Sequence, residues 1–465
     1  MNTPPSSVVS SVFVSALVDE LGGRCRVVTD GDLLASYRQD QATIVAGGLP
    51  CAVVLPRTTA DVAAALRLAT AHRVPVVPRG AGTSLAGGAS AVAGCLVLST
   101  EAMTSVRLLE PLDRVAVVEA GVVNAELDRA AAEHGLMYAP DPSSWEISTV
   151  GGNVATNAGG LRCVKYGVTR QSVLGLEVVL PDGRVIETGG RTTKDVAGYD
   201  LTGLLVGSEG TLGVITAATV RLHRRPAVAP TTVVAAFATL DAAGEAVASI
   251  VASGPEVSLL ELLDGATLRA IDSWRRMGLG GIEAMLVVQV DGRLPEDAAE
   301  VAALCAAAGA VDEPAVSTDP VEADQLLAVR RLAYPAAEQL GRCLVEDVGV
   351  PVSRLPEMIR RIEAIAARHA VAVLTVAHAG DGNLHPTFVF DHGCDEIPAS
   401  VAAAADEVFA AALELEGTIT GEHGVGVLKA AWLERQVGPA TMELHRFVKR
   451  AFDPLGIMNP GKVLG

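Results

Sequence analysis

Residues 140–167 read PDPSSWEISTVGGNVATNAGGLRCVKYG. Gly151, Gly152, Gly159, Gly160 and Gly167 fall inside this stretch, with Asn153, Thr156, Asn157 and Ala158 between them. Glycine admits positive φ and lets another molecule reach the main chain. Backbone so rich in glycine and amide, and almost uncharged, suits a large polar cofactor held by N–H groups. The alternative is a tight packing junction between sheets, since glycine punctuates turns generally.

Upstream of it, the pattern is strand, helix, strand. Ala52–Leu55 reads as a strand, Thr58 or Thr59 caps a helix to about His72 with Asp61 in its first turn, and Val74–Val77 is a second strand. This unit ends in the loop Pro78-Arg-Gly-Ala-Gly-Thr-Ser-Leu-Ala-Gly-Gly88. The loop is not a Rossmann fingerprint. Leu85 stands where a third glycine belongs, and a strand at Leu96–Leu98 follows instead of a long helix. Its N–H groups and the hydroxyls of Thr83 and Ser84 can still bind phosphates. A helix at the N-terminus (Val8–Leu21) precedes all of this.

Downstream, Val115–Glu119 is a strand and Asn124 caps a helix that closes at Gly135. Leu174–Leu180 and Arg184–Glu187 form a hairpin about Pro181-Asp-Gly183, and Val214–Leu222 is a further strand. The basic link His223–Pro226 marks a domain boundary. Beyond it, strand and helix patterns alternate: Thr231–Phe237, Ala242–Val251, Val257–Leu263, Met285–Val290 and Glu296–Ala308. These predict an antiparallel sheet with helices on one face. Ala370–Val376 and Pro386–Phe390 flank a loop, and a helix runs from about Ser400 to Glu416.

A chain of 465 residues predicts two or three domains, and 50% hydrophobic residues suffice for large cores. A formal net charge of −18 disfavours nucleic acid and anionic membrane surfaces as partners. The 7 cysteines form no CxxC pair and are odd in number. That pattern predicts a reduced intracellular protein without an iron–sulfur cluster of its own. No basic, then apolar, leader and no bilayer-length apolar run is evident, so a cytoplasmic protein without a transmembrane segment is expected.

The sharpest chemical cluster is His378-Ala-Gly-Asp-Gly-Asn-Leu-His385, with Glu422-His423 further on. His378 ends one strand and His385 begins the next, so a hairpin sets them side by side. Two imidazoles and a carboxylate match a divalent-metal site with open positions, suited to Zn²⁺, with Mn²⁺ or Fe²⁺ as alternatives. Histidine is also the natural general base near neutral pH. Two structural histidines at a turn are the competing reading. Arg330 lies in a helical stripe with Leu326, Ala333, Ala337 and Leu340, where a buried guanidinium needs a partner such as a substrate carboxylate. Snorkelling to solvent is its alternative, and Pro335 should kink or end the helix. Asp141 and Glu209 read as loop-organising acids, not an acid–base pair.

Together these motifs resemble a known family. The set is Pro78-Arg-Gly-Ala-Gly-Thr-Ser84, Ser148-Thr-Val-Gly-Gly-Asn-Val-Ala-Thr-Asn-Ala-Gly-Gly160, Gly198-Tyr-Asp200, Gly207-Ser-Glu-Gly-Thr-Leu-Gly213, His378 to His385, Gly421-Glu-His-Gly-Val-Gly426 and Asn459-Pro-Gly-Lys462. From about residue 45 onward the chain resembles the FAD-linked 2-hydroxyacid dehydrogenases of the vanillyl-alcohol-oxidase superfamily, which include D-lactate dehydrogenase, the flavin subunit of glycolate oxidase and D-2-hydroxyglutarate dehydrogenase. The resemblance implies an α+β fold. A two-subdomain FAD-binding domain occupies residues 1–225, a substrate cap with an antiparallel sheet and helices occupies 226–452, and a tail at 453–465 returns to the first domain.

By motif match, FAD contacts fall on Arg79, Gly80, Ala81, Gly82, Thr83, Ser84 and Leu85, on Pro140, Asp141, Ser148, Thr149, Gly151 and Gly152, and on Thr156, Asn157, Ala158 and Gly160. They continue at Glu209, Gly210, Thr211, Leu212, Gly213, Ile215 and Asn459. Metal ligands carry over to His378, His385 and Glu422, the catalytic base to His423, and the substrate-carboxylate anchor to Arg330. Leu327 stands where many relatives have tryptophan, and Thr387 where some have asparagine near the substrate. Arg79 and Ala81 replace the histidine of covalent-flavin relatives, so FAD is expected to be non-covalent.

The implied reaction is metal-assisted oxidation of a D-2-hydroxy acid, D-lactate or glycolate above others, to the 2-oxo acid, with hydride passing to flavin N5. Rival readings are a D-2-hydroxyglutarate dehydrogenase, an alcohol oxidase of the same fold, and a flavin electron-carrier subunit. A quinone, an electron-transfer protein or an iron–sulfur subunit would accept electrons, and a homodimer is a possible assembly.

Overall fold

Thr58 Oγ1 accepts the Asp61 N–H at 3.2 Å, and Asp61 Oδ2 accepts the Thr58 N–H at 3.1 Å. This reciprocal capping box starts the helix Thr59–His72. Its Val62, Ala65, Leu66 and Ala69 pack with Ala52, Val54, Val76, Leu96 and Leu98 in one core. These features belong to a computed structural model that describes residues 6–253, 255–291, 295–394 and 396–465.

The chain divides into two compact units. The first comprises 1–159, 168–225 and 422–465; the second comprises 160–167 and 226–421. The return to the first unit therefore begins at Glu422, well before the expected tail at 453. The stretch 140–167 is itself divided, between Gly159 and Gly160.

The first unit holds two main sheets. In one, Ala52–Leu55 and Val76–Arg79 run parallel to Leu96–Ser99, and Arg26–Val28 pairs antiparallel at the edge. The other is antiparallel, in the order Val106–Glu110, Val115–Glu119, Val214–Arg221, Val173–Val179, Val185–Gly189. The hairpin about Gly183 is present, with φ +82° at that glycine. One expected cap is not used. Asn124 is the first helical residue of Asn124–Ala132, and its Nδ2 instead donates to Pro140 O at 2.7 Å.

In the second unit an antiparallel sheet runs Ala315–Ser317, Thr231–Phe237, Ala284–Val290, Val257–Asp264, Ala372–His378, Asn383–Phe390, Arg342–Val345. Helices lie on both faces, not one. Gly265–Arg275 and Pro320–Leu340 pack on each other and on the sheet, sharing a core with Leu259, Leu263, Met285, Val287 and Val376. Leu240–Ser253, Pro295–Ala307, Leu355–His369 and Ala399–Glu414 form the other layer. Val257–Asp264 is accordingly buried at every position, as a strand covered on both sides must be. Pro335 lies inside the helix Pro320–Leu340 without ending it. Among the described residues no helix is long and apolar enough to cross a membrane, and none of the cysteines is in a disulfide.

Candidate active site

The glycine loop after Val76–Arg79, the segment around Thr149 and the turn at Gly210 meet in the first unit around one cavity. Arg79 to Leu85, Ser148, Thr149, Gly151, Gly152, Thr156, Ala158, Glu209, Gly210, Gly213 and Ile215 all line it. Pro142 to Ser144 and Gly159, inside the motif ranges 141–149 and 156–160, line it as well, and so do Asn153, Glu422 and His423, which the motif match does not assign to FAD. Pro140, Asp141, Asn157, Thr211, Leu212 and Asn459 do not. Pro140 O accepts from Asn124; Asn157 Oδ1 accepts the Arg170 N–H at 2.9 Å; Leu212 is in the core. Asn459 Nδ2 donates to Gly88 O at 2.9 Å and Glu209 O at 2.7 Å, so it fixes the cavity wall from behind. Gly160 belongs to the second unit.

The lining fits a large polar ligand. Asn153 is 4% exposed and Ser148 2%, yet Asn153 Nδ2 and Ser148 Oγ have no hydrogen-bond partner among the described residues. A buried amide or hydroxyl left so is costly unless something satisfies it. Glycine is needed at Gly80, where a Cβ would lie 2.5 Å from Thr149 Oγ1, and at Gly82, where φ is +73°. Arg79 is half-buried, its partial burial lowers its pKa, and it donates to Ala89 O at 3.3 Å.

Glu209 ties this wall to the returning chain. Its Oε1 accepts the Val425 N–H at 2.7 Å and its Oε2 the Gly426 N–H at 2.8 Å. Burial raises its pKa to about 6, and the two N–H donors oppose that shift. The carboxylate organises a loop, as the sequence indicated. That loop carries Glu422 and His423, whose Oε1 and Nε2 lie 4.0 Å apart.

In the second unit His378 and His385 share a hairpin. Val376 is registered opposite His385, and His378 opposite Asn383. His385 is thus inside its strand and not at its start, and both imidazoles emerge on one face of the sheet. Their ring centroids are 5.0 Å apart, edge to face, and both are buried. On the neighbouring strand Glu261 is in register with His378. Its Oε1 lies 2.6 Å from His378 Nδ1, and its Oε2 accepts from Arg330 Nε at 2.6 Å. Burial pushes the Glu261 carboxyl up, but His378 and Arg330 outweigh it and hold its pKa below the ordinary value.

The structure thus pairs Arg330 with an internal carboxylate that sequence reasoning missed. The signal was present: a glutamate inside the apolar run Val257-Ser-Leu-Leu-Glu-Leu-Leu-Asp264. Asp347 was missed too. It is fully buried, 4.0 Å from His385 Nδ1, and accepts from Asn383 Nδ2, Thr420 Oγ1 and the Gly421 N–H. Paired imidazoles whose second nitrogens face carboxylates are the donor set of a divalent-metal site, so the residues fit a metal. Gly421 precedes Glu422, the first residue of the return to the other unit.

Fold and cavity define the class. Solved structures of 4-ethylphenol oxidase from Gulosibacter chungangensis (TM-score 0.79, 18% identity, 98% of this chain and 97% of that one) and of p-cresol methylhydroxylase (TM-score 0.79, 17%, 99% and 97%) share the architecture. Residues 50–189 match an FAD binding domain family and residues 227–463 match the family of FAD linked oxidases, C-terminal domain. The chain belongs to the FAD-linked oxidases and is an FAD-linked oxidoreductase. It is 42% identical over 438 residues to the glycolate oxidase subunit GlcD of Bacillus subtilis (93% of this chain, 92% of the relative). It is 39% identical over 418 residues to a D-lactate dehydrogenase of Archaeoglobus fulgidus (89% and 91%).

Proposed function

We propose that this protein oxidises a small D-2-hydroxy acid, D-lactate or glycolate above D-2-hydroxyglutarate, to the 2-oxo acid, using non-covalently bound FAD and a divalent metal. The observation that carries this reading is the pairing of His378 and His385 on one sheet face beside Arg330. The relatives named for glycolate and D-lactate support the substrate size.

Arg330 donates Nε to Glu261, and its Nη groups would bind the substrate carboxylate. His378, His385 and Glu422 would hold the metal, with zinc favoured by the two imidazoles. His423 accepts the proton of the substrate 2-hydroxyl as general base. Bound FAD would supply the two-electron acceptor, and a metal held there would supply Lewis-acid polarisation of the substrate hydroxyl and carboxylate. The lining residues Asn153 and Ser148 present unmatched polar atoms that would orient the cofactor. Reoxidation falls to a quinone, an electron-transfer protein, an iron–sulfur subunit or oxygen.

The test is anaerobic titration of the FAD-loaded protein with D-lactate, glycolate and D-2-hydroxyglutarate, followed by flavin absorbance. Bleaching by D-lactate or glycolate, abolished by chelation or by Glu422→Gln with FAD retained, is expected. A flavin that no hydroxy acid bleaches would make the chain an electron carrier or alcohol oxidase. Bleaching that survives complete metal removal would remove the metal.

A further inference from the structure

Glu261 is fully buried, and its two oxygens are divided between two residues with different proposed duties. Oε1 meets His378 Nδ1 at 2.6 Å, and Oε2 meets Arg330 Nε at 2.6 Å. The three side chains come from separate elements: Glu261 from the strand Val257–Asp264, His378 from the end of Ala372–His378, and Arg330 from the middle of Pro320–Leu340. The direct cross-strand register Glu261↔His378 makes the first contact a property of the sheet. The second contact draws the helix residue to the same point.

We propose that Glu261 is a positioning residue that fixes the metal ligand His378 and the substrate anchor Arg330 from a single carboxylate. This rests on the metal and hydroxy-acid reading above and assigns a residue which that reading does not use. A carboxylate at Nδ1 keeps the proton on that nitrogen, so Nε2 carries the lone pair a metal needs. The same carboxylate holds the guanidinium at Nε and so sets the plane in which the two Nη groups meet the substrate. Glu261 touches neither metal nor substrate. Its effect passes through the two residues it orients, so metal affinity and substrate affinity should fall together when it is changed.

Glu261→Gln separates these effects from a loss of folding. Glutamine replaces one of the two carboxylate oxygens with an NH2 donor, so only one of the positions that serve His378 and Arg330 keeps an acceptor. With FAD retention as the folding control, zinc is titrated against a competing chelator into wild type and E261Q. Zinc affinity is expected to drop ~10–100-fold in the variant. At saturating zinc, the KM for D-lactate is expected to rise by more than kcat falls. If E261Q does not fold, the double variant Glu261→Gln, Arg330→Met removes both charges of the pair and should show the same loss of zinc affinity. Wild-type protein that takes up no zinc overturns the metal assignment and this proposal with it. Wild type that binds zinc, with equal affinity and equal KM in E261Q, overturns the proposal alone.

Discussion

Glu209 holds Gly426 by its backbone N–H at 2.8 Å, across 217 residues of sequence, and its other oxygen takes Val425 in the same way. The two bonds fasten the segment that carries Glu422 and His423 to the cavity wall. In Glu209→Gln only one of the two N–H groups keeps an acceptor. A loss of ~1–3 kcal/mol is expected for the buried donor left unmatched. Thermal unfolding of the FAD-free protein at neutral pH reads it, and an unchanged midpoint would show the carboxylate to be idle.

Asn153 offers the opposite case. Its buried Nδ2 has no partner among the described residues, so Asn153→Leu should leave the FAD-free fold at least as stable as wild type. Retention of FAD after gel filtration should nevertheless fall. A variant that keeps its full flavin complement would show that the amide does not face the cofactor.

His423→Ala should slow substrate-dependent flavin bleaching by ~10²–10⁴-fold, the usual loss when a general base is removed. Flavin content should be unchanged. Stopped-flow reduction by D-lactate measures it, and a wild-type rate would release His423 from that role.

Stability should depend on pH through Asp264. It is buried at the start of Gly265–Arg275, where it accepts the N–H groups of Thr267 and Thr375, and burial raises its pKa to about 6. The unfolded carboxyl titrates near ~4. Between those values the folded chain binds more protons than the unfolded one, so stability falls as pH rises from ~4 to about 6. Asp264→Asn removes this share and should flatten the melting temperature across that window. A slope identical to wild type would refute the assignment.

Much of this architecture was legible because local rules and tertiary structure agree. The capping residues Thr58 and Asp61, the turn at Gly183 and the alternating strands from Thr231 onward obey period and cap chemistry alone. The spacing of His378 and His385 across a short turn likewise announced a hairpin. Register was less visible: His385 lies inside its strand because Asn383 pairs with His378. Glu261 escaped notice because its partners lie 69 and 117 residues away. Asn124 has a capping residue's chemistry, but its side chain answers Pro140 O instead. Neither distant partner leaves a mark in a local window.

The cavity-bearing unit is assembled from both ends of the chain. Met458 bridges to Val76, Asn459 reaches Gly88 O, and Lys462 Nζ donates to Ser90 O at 2.6 Å. During synthesis these contacts can form only after residues 458–462 have emerged. Domains otherwise fold in order of emergence. Here the second unit, whose longest segment is 226–421, is complete first. The contacts that residues 458–462 make with the rest of their unit are therefore the last to form.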